Sequence, residues 1–247
     1  MTFDDCHPTR RDLHQVLRST PCRVDVFIFA VRSLLGNMAA AEAFNVEKLL
    51  SLLRTCRGEK NEILMDMYVD AYEELGKLLI LFGSVFGFVN SDVSSKVEIL
   101  RAYRSSGQAE NFDTIKSMLD YEVKNDLTAR KDKASGSRTL LRLHRALEFI
   151  VQFLEEICKG DKDTKMATVS LQAYNRTLAK YHPWLIRKGG VHISFYTLPG
   201  RTQLLQRMQL PEEERAQAVL KEIISLTNDL YTETQELYAD RNLLDLP

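Results

Sequence analysis

The sequence predicts an all-α fold of about eight helices, and three observations carry that expectation. From Val46 onward apolar residues recur three and four positions apart, as in Val46, Leu49, Leu50 and Leu53. No run sustains the period-two alternation of a half-buried strand. The one β-rich stretch, Val191-His-Ile-Ser-Phe-Tyr-Thr197, reads better as a buried helix end. Finally, 45% of the 247 residues are hydrophobic, enough for one domain with a large core. Short connections favour antiparallel neighbours and hence a layered or bundle arrangement.

Residues 1–42 carry Pro8, Pro21 and short mixed-charge runs, with no sustained helical stripe outside 24–35. They read as an N-terminal extension, disordered or lying ahead of an alternative start, and the folded domain is placed at 43–247. The first helix begins after Asn45, a side chain suited to capping, and is expected to stop at Gly58. A long segment over 65–89 follows, in which Leu75, Leu78, Leu79, Leu81, Phe82, Val85, Phe86 and Phe88 leave little polar face. A helix apolar all round is buried. Its glycines, Gly76, Gly83 and Gly87, suit close approach by a neighbour, tight helix packing being the commoner reason. Further helices are expected at 91–105, 111–130, 137–159 and 163–180, another opened by Pro183 at its first position, and two more at 200–208 and 212–240.

Composition removes several function classes. With 33 basic residues against 34 acidic, the chain lacks the charge excess of a general polyanion binder, so nucleic acid is not an expected partner. Cys6, Cys22, Cys56 and Cys158 are widely spaced and form no CxxC, which suits reduced thiols in a cytoplasmic protein and indicates no metal site. The apolar run Val24 to Leu35 contains Asp25 and Arg32 and is too short to span a hydrocarbon core of roughly 30 Å. Ala39-Ala40-Ala41 follows it as a signal cleavage site would, but Asp4, Asp5 and Asp12 stand where a basic region belongs. Catalysis is not indicated: no nucleophile elbow, HExxH or Walker loop is present, and His144 and His192 suit core or surface positions. No cofactor is called for.

The informative polar residues come as two i,i+4 pairs on apolar helical segments, Asp92 with Lys96 and Arg138 with Arg142, followed by Arg145. Residues four apart share a helix face, so two packed helices could converge cations and one carboxylate on a single point. Arginines at such spacing often form only a solvated face, yet Leu140, Leu141, Leu143, Ala146 and Leu147 interleave these densely.

Five strings carry a resemblance: Phe88-Val-Asn-Ser-Asp92-Val-Ser-Ser-Lys96, Arg138-Thr-Leu-Leu-Arg142-Leu-His-Arg145-Ala-Leu, Tyr181-His182-Pro-Trp184, Thr197-Leu-Pro199, and Asn242-Leu-Leu-Asp-Leu-Pro247. In order and interval, from about Phe44 to Pro247, the chain resembles the branch of the glycolipid transfer protein superfamily that carries ceramide 1-phosphate. The resemblance implies a two-layer helical sandwich enclosing an apolar lipid pocket and a non-enzymatic carrier, monomeric and cytoplasmic, that cycles to membrane surfaces. It further implies that Asp92 and His182 read the sphingoid amide, that Lys96, Arg138 and Arg142 hold the phosphate, and that Trp184 lies near the membrane interface. Arg187 and Lys188 after Trp184, with Arg130, Lys131 and Lys133 before Arg138, are candidates for transient contact with an anionic membrane surface. Sugar-binding members place a tryptophan platform at the position of Arg138 and an asparagine near Lys96. Here the one tryptophan is Trp184, and a phosphate of about −1.5 to −2 charge matches arginine and lysine better than a neutral hexose does.

Two departures stand out. Residues 1–37 have no counterpart in the family pattern. The stretch from Trp184 through Gly189-Gly190 to Phe195 is also one residue longer, enough to turn the side chains from His192 to Phe195 by about 100° unless a bulge absorbs it.

Overall fold

Helical periodicity from Val46 onward becomes eight α-helices among the described residues of the computed structural model, which are 43–83, 86–182 and 195–247. They are α1 Val46–Arg54, α2 Met65–Leu81, α3 Gly87–Arg104, α4 Ile115–Lys124, α5 Gly136–Lys159, α6 Met166–Arg176, α7 Arg201–Arg207 and α8 Glu213–Ala239. Short 3₁₀ turns cover Ala109–Phe112 and Ala179–Tyr181. Helix α2 packs on α1 and α3, α5 packs on α3, α4, α6 and α8, and α8 closes back on α1. One hydrophobic cluster runs through all of them, from Leu49 and Tyr72 to Phe153, Leu220 and Tyr238. No helix among the described residues is long and apolar enough to cross a membrane. The extension, Pro183, Trp184, Arg187, Lys188, Gly189-Gly190 and His192 lie outside the described residues.

The helix boundaries follow their caps. The Asn45 side chain accepts from Lys48 N at 3.0 Å as foreseen, but α1 ends at Arg54, four residues before Gly58. The segment expected to run unbroken over 65–89 is divided. Gly83 adopts φ 133°, a conformation that L side chains rarely tolerate, and Arg207 Nη1 donates to the Leu81 carbonyl at 2.6 Å, capping α2. Apolar residues flow through this break, so periodicity alone does not register it. Helix α3 therefore starts at Gly87, and Asp92 lies within it rather than at its first turn. Of the other two glycines, Gly76 is where helices meet closely: a Cβ there would lie 2.5 Å from Asn90 Oδ1 on α3. The 111–130 segment shrinks to α4 because Thr114 and Ser117 form a capping box at its start and Asp126, at φ 54°, turns the chain after its end.

Buried polar groups fix the geometry of α5. Glu122 of α4, 1% exposed, accepts from Gly136 N at 2.7 Å, Ser137 N at 2.8 Å and Ser137 Oγ at 2.6 Å, while Ser135 Oγ accepts from Arg138 N at 3.1 Å. The free amides at the start of α5 thus find acceptors, one of them an anion that the helix dipole favours. Tyr238 of α8 donates to the Ser137 carbonyl at 2.7 Å. At the other end Arg201, 3% exposed, donates to the Ile157 carbonyl at 2.6 Å and forms a two-point pair with Glu213 at 2.8 and 2.6 Å.

His144, buried between these helices, stacks on Tyr231 at 4.2 Å between ring centroids, and its Nε2 pairs with Gln235 Oε1 at 2.7 Å. Burial pulls its pKa from the ordinary 6.5 down to about 4, with Gln235 opposing and Arg145 assisting. Below about pH 6.5 the unfolded chain takes up a proton at this site, whereas the folded chain does so only near pH 4. Stability is therefore full above pH 6.5 and falls by about 3 kcal/mol on approaching pH 4. Urea unfolding at pH 7 and pH 4.5 checks this: a His144→Gln variant should lose less stability between the two than the wild type.

Candidate functional site

Helices α2, α3, α5 and α6 part around a cavity of about 590 Å³, within the size range of ligand sites. Its wall is mostly apolar, from Leu75, Leu79, Val89, Val93, Leu143 and Ile150. A cluster of rings occupies one side: Phe195 stands 5.8 Å from Phe86, 5.9 Å from Phe149 and 5.8 Å from Tyr174, centroid to centroid. Phe195, whose orientation the extra residue made uncertain, therefore faces inward. Gly76 lines the same wall, so the close approach of α2 and α3 also shapes the cavity.

Charged groups gather where polar lining begins. Asp92 and Lys96 from α3, Arg142 and Arg145 from α5, and His182 after the Ala179–Tyr181 turn all border this one cavity. Lys96 Nζ pairs with Asp92 Oδ1 along α3, as i,i+4 spacing permits. The lysine side chain is only 12% exposed, while Asp92 stands out at 65%, so the carboxylate marks the outer edge. Burial holds His182 below the ordinary imidazole range, and Asp92 pulls it the other way. Its Nδ1 lies 2.8 Å from the Tyr174 hydroxyl.

Arg138 occupies the same helix face one turn before Arg142 but is not among the residues bordering the cavity; its Nη2 lies 3.5 Å from the Lys133 carbonyl. The neighbouring cations have local partners too, Arg130 with Asp132 and Lys133 over the Tyr103 ring at 4.1 Å.

Sequence reasoning missed three participants. Pro247 borders the cavity, and its carbonyl accepts from Arg142 Nη2 at 3.2 Å. Arg145, noted only as a third cation, donates to the Leu244 and Leu246 carbonyls at 2.7 and 2.9 Å and lies 4.4 Å over the Tyr181 ring. Tyr174 of α6 touches His182, which follows the Ala179–Tyr181 turn, and a lone tyrosine at helical spacing carries no signal of that. Among the described residues no three His, Cys, Asp or Glu side chains converge as metal ligands would.

Among the described residues, helices packed around an apolar cavity bordered by charged groups of both signs have the features of a lipid-transfer fold, and comparison with known proteins bears this out. Mouse ceramide-1-phosphate transfer protein in its apo form superimposes with a TM-score of 0.78 at 37% identity, over 83% of this chain and 100% of that one. The human protein in complex with 12:0 ceramide 1-phosphate gives 0.77 at 35% identity, over 83% and 100%. In sequence, ceramide-1-phosphate transfer protein of Danio rerio is 38% identical over 211 residues, 84% of this chain and 100% of that protein. The glycolipid transfer protein (GLTP) family model matches residues 63–210. The chain belongs to the glycolipid transfer protein family.

Proposed function

We propose that this chain is a non-enzymatic carrier that moves ceramide 1-phosphate, or a closely related phospho-sphingolipid, between membranes. The observation that carries the reading is the meeting of Asp92, Lys96, Arg142 and His182 from separate elements at the mouth of one apolar cavity. Asp92 accepts from the sphingoid amide N–H and hydroxyl, His182 donates to the acyl-amide carbonyl, and Lys96, Arg138 and Arg142 bind the phosphate as charge-assisted donors. Arg138 reaches it by leaving the Lys133 carbonyl, a long contact that costs little to break. The relatives' names, and the complex of the human protein with 12:0 ceramide 1-phosphate, support this choice of cargo.

A carrier is needed because two hydrocarbon chains of roughly 30 methylenes resist transfer into water by on the order of 20 kcal/mol. The cavity replaces water with Leu, Val and aromatic surface. Tyr181 and Tyr196 are exposed next to residues that line it, which suits aromatic contact with a membrane interface. Trp184, Arg187 and Lys188 would extend that contact in transient docking on an anionic leaflet. The protein works as a monomer in the cytoplasm, and its buried, free Cys56 and Cys158 suit a reducing compartment.

The test is lipid movement between donor and acceptor vesicles by purified protein, comparing ceramide 1-phosphate with ceramide and glucosylceramide. Rapid transfer of the phosphorylated lipid alone is the expected result. Binding without transfer would make the protein a lipid sensor acting through a partner, and equal transfer of glucosylceramide would make it a glycolipid carrier.

A further inference from the structure

The contact between Tyr174 and His182 bears on how the ligand's amide is read, and it rests on that reading of the site. A neutral imidazole has one nitrogen that donates and one that accepts, and a hydrogen bond to one nitrogen decides which is which. Tyr174 Oη lies 2.8 Å from His182 Nδ1, with the two rings 5.6 Å apart and inclined at 37°. Tyr174 itself is buried at 2% exposure, and the edge of its ring meets Phe149 at 6.3 Å, so its hydroxyl is aimed by packing rather than free to wander. A phenol is a good proton donor and a poor acceptor because its oxygen lone pair is delocalised into the ring, whereas an imidazole sp² nitrogen is a strong acceptor.

We propose that Tyr174 is a positioning residue that donates to His182 Nδ1, fixes the ring's orientation and confines its proton to Nε2, so that a donor faces the cavity. Without that bond the two neutral tautomers compete, and the one protonated on Nδ1 presents a lone pair to the ligand's carbonyl oxygen, which repels it. Burial supports the arrangement by keeping His182 neutral near pH 7, where tautomer choice matters. Tyr174 and His182 come from α6 and from the residue after the following 3₁₀ turn, so the bond also ties the end of that turn to α6, whose Tyr174 ring is part of the aromatic side of the cavity.

Long-range ¹H–¹⁵N correlation spectra of histidine-labelled protein, recorded without ligand, distinguish the tautomers directly. The wild type is expected to show His182 protonated on Nε2, and Tyr174→Phe, nearly isosteric within its aromatic cluster, to show a mixture. Affinity for short-chain ceramide 1-phosphate should fall about five- to tenfold in Tyr174→Phe, the share expected of one buried hydrogen bond. In a His182→Gln background, where no tautomer remains to be selected, Tyr174→Phe should change affinity no further; a purely structural role would lower it in both backgrounds. A wild-type signal from the Nδ1–H form, an unchanged tautomer in Tyr174→Phe, or equal losses in both backgrounds would each overturn the proposal. Failure of ceramide 1-phosphate to bind the wild type would overturn the functional reading instead, and the spectra would still decide the tautomer.

Discussion

Substituting Asp92 by valine or Arg142 by leucine is expected to remove most intermembrane transfer of ceramide 1-phosphate while leaving the helical content and unfolding midpoint nearly unchanged. Both side chains are exposed, so neither supports the core. In the proposed function each instead supplies a charge-assisted hydrogen bond to the ligand, worth about 1.5–3 kcal/mol, which corresponds to roughly a 10- to 150-fold loss of affinity. Arg138→Leu should act in the same direction. Its tip starts farther from the cavity, so it reports whether the side chain swings inward. Fluorescent-lipid transfer between vesicles, read beside far-ultraviolet circular dichroism, separates loss of binding from loss of fold. Full transfer by the Asp92 and Arg142 variants would remove these residues from the site.

Glu122→Ala is expected to produce the largest loss of stability, about 3–5 kcal/mol. The carboxylate is almost wholly buried and receives three hydrogen bonds from the first residues of α5, so its removal strands two backbone amides and a hydroxyl away from water. Glu122→Gln keeps the volume and one acceptor and should cost less. Urea unfolding monitored by circular dichroism measures both, with a lowered midpoint at unchanged slope as the expected signature. Because Arg138 begins one residue beyond the amides that Glu122 holds, the alanine variant should also bind lipid more weakly than its stability alone explains. A midpoint within experimental error of wild type would contradict the role given to Glu122.

Local signals in the sequence carried furthest where the chemistry is local. The span of α5, the capping by Asn45 and the shared faces of Asp92 with Lys96 and Arg138 with Arg142 follow from periodicity and i,i+4 spacing, which depend on neighbours a few residues away. The break at Gly83 does not, because the residues around it are as apolar as those in the helices and only a backbone angle sets it apart. The ties from Arg142 and Arg145 to residues 244–247 were equally hidden: a main-chain carbonyl has no residue identity to read. The inward placement of Tyr174 depends on how α6 packs, which periodicity narrows to a face but not to a partner.

The cross-links between α5 and the segment from α8 to Pro247 join residues very far apart in the chain: Arg142 and Pro247 are separated by 105 positions, Ser137 and Tyr238 by 101, and His144 and Gln235 by 91. On a ribosome moving at about 5–20 residues per second, the greasy side of α5 emerges roughly 5–20 s before the segment that covers it. That interval exposes apolar surface to aggregation in a way the finished structure does not, and the cationic turn of α5 acquires the carbonyls of Leu244, Leu246 and Pro247 as neighbours only after those residues have emerged.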